Sequence, residues 1–277
     1  MAFYHTTCLF ASKNPQRAET YSAALKSWDR IKVRKNHVHE SAFSRNSQTE
    51  LGDTQRKLVF IKDIINYRFS IMKKNDYIIL SNLDIFACTD FIERAKELLK
   101  HTEAFFAQRK DIHLNQAFEF INGEKKLKQF TENDLKFIQP LGINVDLICF
   151  SKAWWVKNRS QIPDFLLGAE LWDLTYPHFI KASQPEGTPI RLDNCIYHVR
   201  HLDTKAYINS ANPSARHNRT IAVKCLEEKF GVEHDKKSLW LNKGFTQHMV
   251  ENFGFTANIN RQGFDSYFID AQNEIRT

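Results

Sequence analysis

Glycine is scarce in this chain. There are nine in 277 residues, and none stands in a G-x-G-x-x-G or G-x-x-x-x-G-K pattern. Dinucleotide dehydrogenases and P-loop enzymes need such glycines so that the backbone can turn tightly around a phosphate, and both classes are disfavoured. Cysteine is also sparse: five residues, at 8, 88, 149, 195 and 225, an odd number with no C-x-x-C pair. Cys88, Cys149 and Cys195 lie in or beside apolar runs and read as reduced packing residues, not as a disulfide frame. No stretch approaches the ~18 uninterrupted apolar residues of a membrane span. The N-terminus lacks the basic head and apolar core of a signal peptide, so a cytoplasmic protein is expected. Internal repeats and low-complexity tracts are absent.

What is present is enough apolar material for a large core. Hydrophobic residues make up 42% of the chain, and 22 of them are phenylalanine. Basic residues outnumber acidic ones, 39 to 32, for a net charge of +7. Such a balance favours anionic partners, among them nucleotide phosphates and nucleic acid.

Apolar runs and helical faces alternate along the first half. Thr6 to Ala11 predicts a first strand, and Asn14-Pro15 an N-cap followed by a first-turn proline. Tyr21, Leu25, Trp28 and Ile31 then share one helical face. Residues 37 to 54 are polar and aperiodic and read as a loop or flap. Leu58, Ile61, Ile65, Phe69 and Met72 predict a second amphipathic helix. Asp90 with Glu93 suggests a capping box for a third, reaching about Lys100. Tyr77 to Leu80, Ala104 to Gln108, Val145 to Phe150 and Ile190 to Val199 are strand candidates, residues 121 to 137 a hairpin or insertion, and Asn212-Pro213 opens a helix closed near Gly231. This alternation predicts an α/β fold, with a mixed, mainly parallel sheet flanked by helices. The expected division is a main domain over residues 1–205 and a mainly helical C-terminal extension over residues 206–277, packed on it.

Polar residues recur where apolar runs end. Asn82 and Asp84, two apart after Tyr77–Leu80, are expected on one side of an extended chain, at the sheet end where open α/β folds bind ligands. Arg109 follows Phe105-Phe106-Ala107 and can hold a diphosphate or an acid. Asp146 closes the run from Gly142 and precedes Leu147-Ile148-Cys149-Phe150, a context in which a carboxylate needs a partner. Glu170 and Asp173 are three apart, which on a helix would give them one face. His198 follows Cys195-Ile196-Tyr197, with His201 three residues on. A neutral imidazole suits a borderline metal such as Mn2+.

Taken in order, these motifs resemble the GT-A-type glycosyltransferases, which use nucleotide-sugar donors. The resemblance runs from about residue 6 to residue 203. It rests on Ala23 to Trp28, similar to that family's Ala-x-x-Ser-Trp helix, on Asn82-x-Asp84, Arg109 and Asp146, on Pro163 to Asp173 (Pro-x-Phe-x-x-Gly-x-x-x-Trp-Asp), and on His198 with His201. It implies that Asp84 and His198 hold a divalent metal, Mn2+ or Mg2+, bridging the donor diphosphate, with Asn82 beside it. It implies that Arg109 sits near donor or acceptor, that Asp146 faces the sugar or the acceptor, and that Glu170 or Asp173 is the base or orients the acceptor. One departure stands out: the family's Asp-x-Asp is Asn82-x-Asp84 here, and a lost carboxylate weakens metal affinity.

The implied activity is sugar transfer from a nucleotide sugar, most simply a UDP-sugar, to a hydroxyl. A pI of 9.1 and basic segments at 30 to 45 and after 200 suit a nucleic-acid acceptor. Phage glycosyltransferases of this fold decorate hydroxymethylated DNA bases, which makes such a base the favoured single acceptor. A surface glycan, lipid-linked sugar or protein hydroxyl is the alternative. Two other classes compete: a non-catalytic nucleic-acid-binding module, and a nucleotidyltransferase using Lys13 and Arg17.

Overall fold

The structure, a computed structural model, describes residues 1–12, 14–67, 69–112, 145–199, 212–232 and 243–253. The expected insertion at 121–137, His201 and much of the basic segment after residue 200 lie outside them.

Seven strands form one mixed sheet: β1 (Phe3–Leu9), β2 (Arg34–His39), β3 (Tyr77–Ser81), β4 (Ile85–Ala87), β5 (Ala104–Ile112), β6 (Leu147–Ser151) and β7 (Arg191–Val199), in the order β2-β1-β3-β6-β5-β7-β4. β1 pairs parallel with β2 and β3, and β5 parallel with β7. β6 runs antiparallel between β3 and β5, and β4 antiparallel on β7. The α/β sheet with flanking helices is therefore present, with as many antiparallel as parallel neighbours.

Alternation along the central strands builds a core on each face. Ile78, Leu80, Phe106, Ile148 and Phe150 point to one side. Ile79, Phe105, Leu147 and Cys149 point to the other. Strands covered on both faces read as unbroken apolar runs, which is why they were visible in the sequence. Helices α1 (Pro15–Asp29) and α4 (Phe91–Leu98) cover the second face through Trp28, Phe91 and Ile92. Helices α3 (Ile61–Asn66), α5 (Lys152–Asn158), α6 (Trp172–Ala182) and α7 (Pro213–Phe230) cover the first through Ile64, Trp155, Tyr176 and Leu226. Each fully buried Phe or Leu contributes roughly 1.5–3 kcal/mol.

Two helix starts form as expected. Asn14 accepts from the backbone of Gln16 and Arg17 ahead of Pro15, and Asn212 accepts from Ala215 ahead of Pro213. Gly231 ends α7 with φ +63, a left-handed cap that glycine adopts without Cβ strain.

Three local expectations are corrected. Residues 37–54 are not a flap: they hold the end of β2, a 3-10 turn (Glu40–Ala42) and α2 (Ser47–Leu51), whose Asn46–Thr49 capping box is complete. β2 is polar because it is an edge strand; only Asn36 and Val38 are buried along it. The helix expected over 58–72 shrinks to α3 and a 3-10 turn (Phe69–Ile71). The backbone around Leu58 to Ile61 is taken up elsewhere, since Leu167 donates to Val59 and Ile61 to Phe165. At α4 the cap residue Asp90 makes no side-chain cap bond, so the expected box does not form.

The Ser27-Trp28 pair of α1 braces the short strand β4. Trp28 Nε1 donates to the Ile85 carbonyl at 2.7 Å, and the Ala87 amide donates to Ser27 Oγ at 3.1 Å. Replacing Trp28 by Phe keeps the ring against His5 and Phe91 but orphans the buried Ile85 carbonyl. Urea unfolding should register a loss of about 1–3 kcal/mol. A stability equal to wild type would refute the brace.

Candidate functional site

At one end of the sheet, β3, β5 and β7 deliver their carboxyl ends and β6 its amino end. Ser81 pairs with Leu147, so Asn82 and Asp146, the next residues outward, face each other. The Asn82 amide donates to the Asp146 carbonyl at 3.3 Å. Asn82-Leu83-Asp84 is not the extended segment expected from the spacing; Leu83 and Asp84 form the turn between β3 and β4. Both Asn82 and Asp84 still line one cleft.

β7 sits between β5 and β4, and His198 is paired with Asp111 on one side and with Ile85, next to Asp84, on the other. A bulge sets this register. Up to Ala107 the partner of β5 is Leu192, but Arg109 is opposite Ile196, so β7 holds two extra residues. Asn194, within that bulge, has φ 53, and Arg94 from α4 donates to the carbonyls of Asp193 (2.5 Å) and Asn194 (2.9 Å). Without the extra pair, Asp111 would face Ile196 and not His198.

The side chains converge. His198 Nε2 lies 3.4 Å from Asp84 Oδ2, and Nδ1 lies 3.0 Å from Asp111 Oδ1. Arg109 Nε is 3.2 Å from the same Asp111 oxygen, and its Nη1 bonds Asp146 Oδ2. Asn82 Nδ2 donates to Asp146 Oδ1 at 2.5 Å. Asp173, in the first turn of α6, completes the group electrostatically with Asp146 and Arg109. Of the residues singled out in the sequence, Asn82, Asp84, Arg109, Asp146, Asp173 and His198 are thus brought together.

Glu170 is placed differently. It precedes α6, separated by Leu171 at φ 70, and does not share a helix face with Asp173. Its carboxylate is bonded by Arg219 of α7 at 2.5 Å, and Asn218 donates to its carbonyl. The helix start is displaced because Leu171 takes the left-handed conformation.

Charge dominates this site. Burial opposes the charge on Arg109, but Asp146, Asp111, Asp84 and Asp173 outweigh it and hold the guanidinium firmly protonated. Burial and Arg109 likewise oppose protonation of His198, yet Asp84 and Asp111 raise its pKa. Burial, reinforced by Asp146 and opposed by Arg109, pushes the Asp173 carboxyl up to about 7.

Asp84 Oδ2 and His198 Nε2 are near enough to bond one hard cation together. The carboxylate of Asp111 on Nδ1 fixes the ring so that Nε2 faces Asp84. Among the described residues no three His, Cys, Asp or Glu side chains form a closed metal site. A cation here would take its remaining oxygens from a ligand such as a diphosphate, the usual arrangement for Mg2+.

Beside this cluster opens a cleft of about 490 Å³, part of it open to solvent. Arg17, Arg56 and Lys57 line it with Phe10 and Tyr21, whose rings meet edge to face. A cleft with basic groups and two aromatic rings next to carboxylates suits an anionic ligand carrying a ring. Arg56, Lys57 and Asp111 were not singled out by sequence reasoning: the first two stood outside any motif, and Asp111 becomes visible only through its pairing with His198.

What fold and cleft define is an α/β protein with a polar crevice at the strand ends of a mixed sheet. No protein-family model matches the chain, and no curated protein matches it. Among solved structures it is similar to S. aureus TarS 1–349 in complex with UDP-GlcNAc, with TM-score 0.49, 11% identity, and 95% of this chain and 75% of that one covered. It is similar to S. aureus TarS 1–349 without that ligand at TM-score 0.38, 11% identity and 83% and 72% coverage. It is also similar to 4-diphosphocytidyl-2C-methyl-D-erythritol synthase from Anaerococcus prevotii at TM-score 0.33, 9% identity and 79% and 98% coverage.

The raised Asp173 pKa gives a stability test. A carboxyl that titrates near 7 when folded, against an ordinary 3.8, contributes stability that is complete below about pH 4 and lost as pH rises through 7. Asp173→Asn removes that loss. The variant should match wild type near pH 4 and melt higher at pH 8, by about 2–4 °C for each kcal/mol regained. Parallel melting curves for the two proteins across that range would contradict the assignment.

Proposed function

We propose that the protein is a glycosyltransferase that moves a sugar from a nucleotide-sugar donor, a UDP-sugar in the simplest case, to an acceptor hydroxyl. The observation that carries this reading is the convergence of Asp84 with His198, and of Arg109 with Asp146, beside a basic cleft lined by aromatic rings. The resemblance to GT-A-type glycosyltransferases assigns the same positions. The nucleotidyltransferase reading shares the basic cleft but gives no task to two further carboxylates beside it.

In this reading the cleft holds the nucleoside diphosphate. Arg17, Arg56 and Lys57 attract its phosphates, and the rings of Phe10 and Tyr21 offer the nucleobase an apolar wall. The bond between the anomeric carbon and the diphosphate breaks while the acceptor oxygen bonds that carbon. The leaving diphosphate gains negative charge, and the fixed cationic groups offset it without reorganising at the moment of reaction. Asp84 and His198 are the residues that would hold a divalent ion, Mn2+ or Mg2+, and that ion would supply further neutralisation of the diphosphate. Asp111 holds the His198 ring in place.

Asp173 is the candidate base for the acceptor proton. Both Asp146 oxygens are committed, to Arg109 and Asn82. Asp173 accepts from the backbone N–H groups of Leu174 and of its own residue. A carboxyl with a pKa near 7 is well matched to taking a proton at neutral pH. Asp146 then faces the donor sugar or the acceptor, and Glu170 with Arg219 ties α7 to the start of α6. The favoured acceptor is a hydroxymethylated DNA base, on the strength of the net charge.

A panel of UDP- and GDP-sugars, assayed for hydrolysis with and without Mn2+ or Mg2+ and then for transfer to hydroxymethylated DNA and to glycan acceptors, tests the reading. Hydrolysis of one donor is expected, lost in Asp84→Ala. Asp111→Asn should lower Mn2+ affinity about 10–100-fold, measured by titration, as outer carboxylate partners of metal-bound histidines do. Failure to bind any nucleotide sugar with either ion present would overturn the proposal. Transfer to glycan but not DNA would retain it and remove the acceptor assignment.

A further inference from the structure

The family motif that the chain resembles has two carboxylates, and residue 82 is the place where this chain has an amide. The geometry gives that amide a task of its own. Asn82 Nδ2 donates to Asp146 Oδ1 at 2.5 Å, while Arg109 bonds the other oxygen, Oδ2. The Asn82 backbone amide also donates to the Asp146 carbonyl. Asp146 is therefore gripped at both carboxylate oxygens and at its backbone, from the β3–β4 turn and from β5. Its own φ of 51 lies in the left-handed region, which is uncommon for residues other than glycine and which aspartate tolerates better than most.

We propose that Asn82 is a positioning residue for Asp146, and that its amide oxygen is the acceptor left for a hydroxyl of the nucleotide-sugar donor. The inference deepens the functional reading above and rests on it for the role of Asp146. A carboxylate accepts hydrogen bonds and does not donate them, so the Asn82 nitrogen, not its oxygen, must face Asp146. That orientation turns Oδ1 the other way. Oδ1 is buried without a hydrogen-bond partner, in a residue that lines the cleft. An amide oxygen shut off from water and bonded to nothing is costly, and a ligand hydroxyl would complete it. An aspartate at this position would set two carboxylates at hydrogen-bond distance, with Asp84 and Asp173 adding further negative charge that Arg109, already bonded to Asp146, would have to offset. Two carboxylates in such contact do not both ionise readily.

Asn82→Asp, which completes the motif on paper, and Asn82→Ala provide the test in the full-length chain. Three quantities are read: kcat and KM for the donor, Mn2+ affinity, and Tm of the ligand-free protein at pH 7.5. Both variants should lose about tenfold or more in kcat, the scale of one lost bond to a charged group. Asn82→Ala, which also removes the oxygen that accepts the donor hydroxyl, should in addition raise the donor KM about tenfold, while Asn82→Asp, which keeps an oxygen there, changes KM much less. Asn82→Asp should melt below Asn82→Ala, because it adds repulsion to the lost bond. An Asn82→Asp protein that transfers sugar as fast as wild type while binding Mn2+ more tightly would overturn the proposal and make residue 82 a weakened metal-ligand position. An Asn82→Asp protein at least as stable as Asn82→Ala would overturn it too, since the contact with Asp146 would then be missing. If wild type transfers no sugar at all, the functional reading falls with the role of Asp146, and the Tm comparison alone decides whether Asn82 holds Asp146.

Discussion

Arg109 is the residue on which the arrangement of this site depends. Four buried or nearly buried carboxylates, Asp84, Asp111, Asp146 and Asp173, all act on its guanidinium. Taking that many anions out of water has a cost that only close cationic or hydrogen-bonding partners offset. Arg109 bonds Asp146 directly and forms an ion pair with Asp111, and its planar fork suits the task better than a lysine's single ammonium. Against burial and Arg109, Asp84 and Asp111 raise the His198 pKa. Asp173 lacks a direct bond to the arginine, and burial, reinforced by Asp146, pushes its carboxyl up to about 7.

Backbone strain is concentrated at the same place. Among the described residues three that are not glycine have positive φ: Asp146, Leu171 and Asn194. Asp146 belongs to the cluster itself. Leu171 sets the turn from which α6 launches Asp173. Asn194 forms the bulge that brings His198 opposite Asp111. Each such conformation costs of order 1–3 kcal/mol and persists only where the surroundings overdetermine it. The surroundings do so here through Asn82 and Arg109 at Asp146, through α6 and its buried Trp172 at Leu171, and through Arg94 at the bulge. Three strained points serving one cluster argue that the cluster, not the fold at large, is what the strain supports.

Much of this was legible in the sequence, and the limits of legibility have physical causes. Fully buried strands such as Ile78–Leu80 and Leu147–Phe150 announce themselves as apolar runs, so the carboxylates at their ends were found. Helix starts marked by Asn-Pro were found because cap chemistry is local. β2 was not, because an edge strand is held by backbone pairing and can be polar throughout. Leu58 to Phe60 follow a helical spacing but are claimed by pairing with residues 165–167, a contact between segments about a hundred residues apart. Asp111 was missed for a similar reason. Its meaning lies in a neighbour 87 positions away, reached through a bulge that no residue pattern on β5 reveals. Glu170 was grouped with Asp173 by spacing alone, and one left-handed residue between them separates their roles.

The reversed direction of β6 is what closes the argument from topology to chemistry. In an all-parallel sheet every strand brings its carboxyl end to the crevice, and polar residues arrive there only after each apolar run. β6 is antiparallel to both β3 and β5, so it brings its amino end, and Asp146 arrives before its apolar run. The pairing Ser81↔Leu147 then puts residue 82 directly against residue 146, and Ala107↔Leu147 puts β5 in reach of both. Asn82, Arg109 and Asp146 meet because β3 ends and β6 begins at one level of the sheet, beside the stretch of β5 that carries Arg109. Reversing β6 or shifting its register by one residue would send Asp146 to the other face or the other end. The contact between Asn82 and Asp146 is therefore a consequence of strand order, and an amide rather than a carboxylate at residue 82 is the choice that lets that strand order stand beside so many acids.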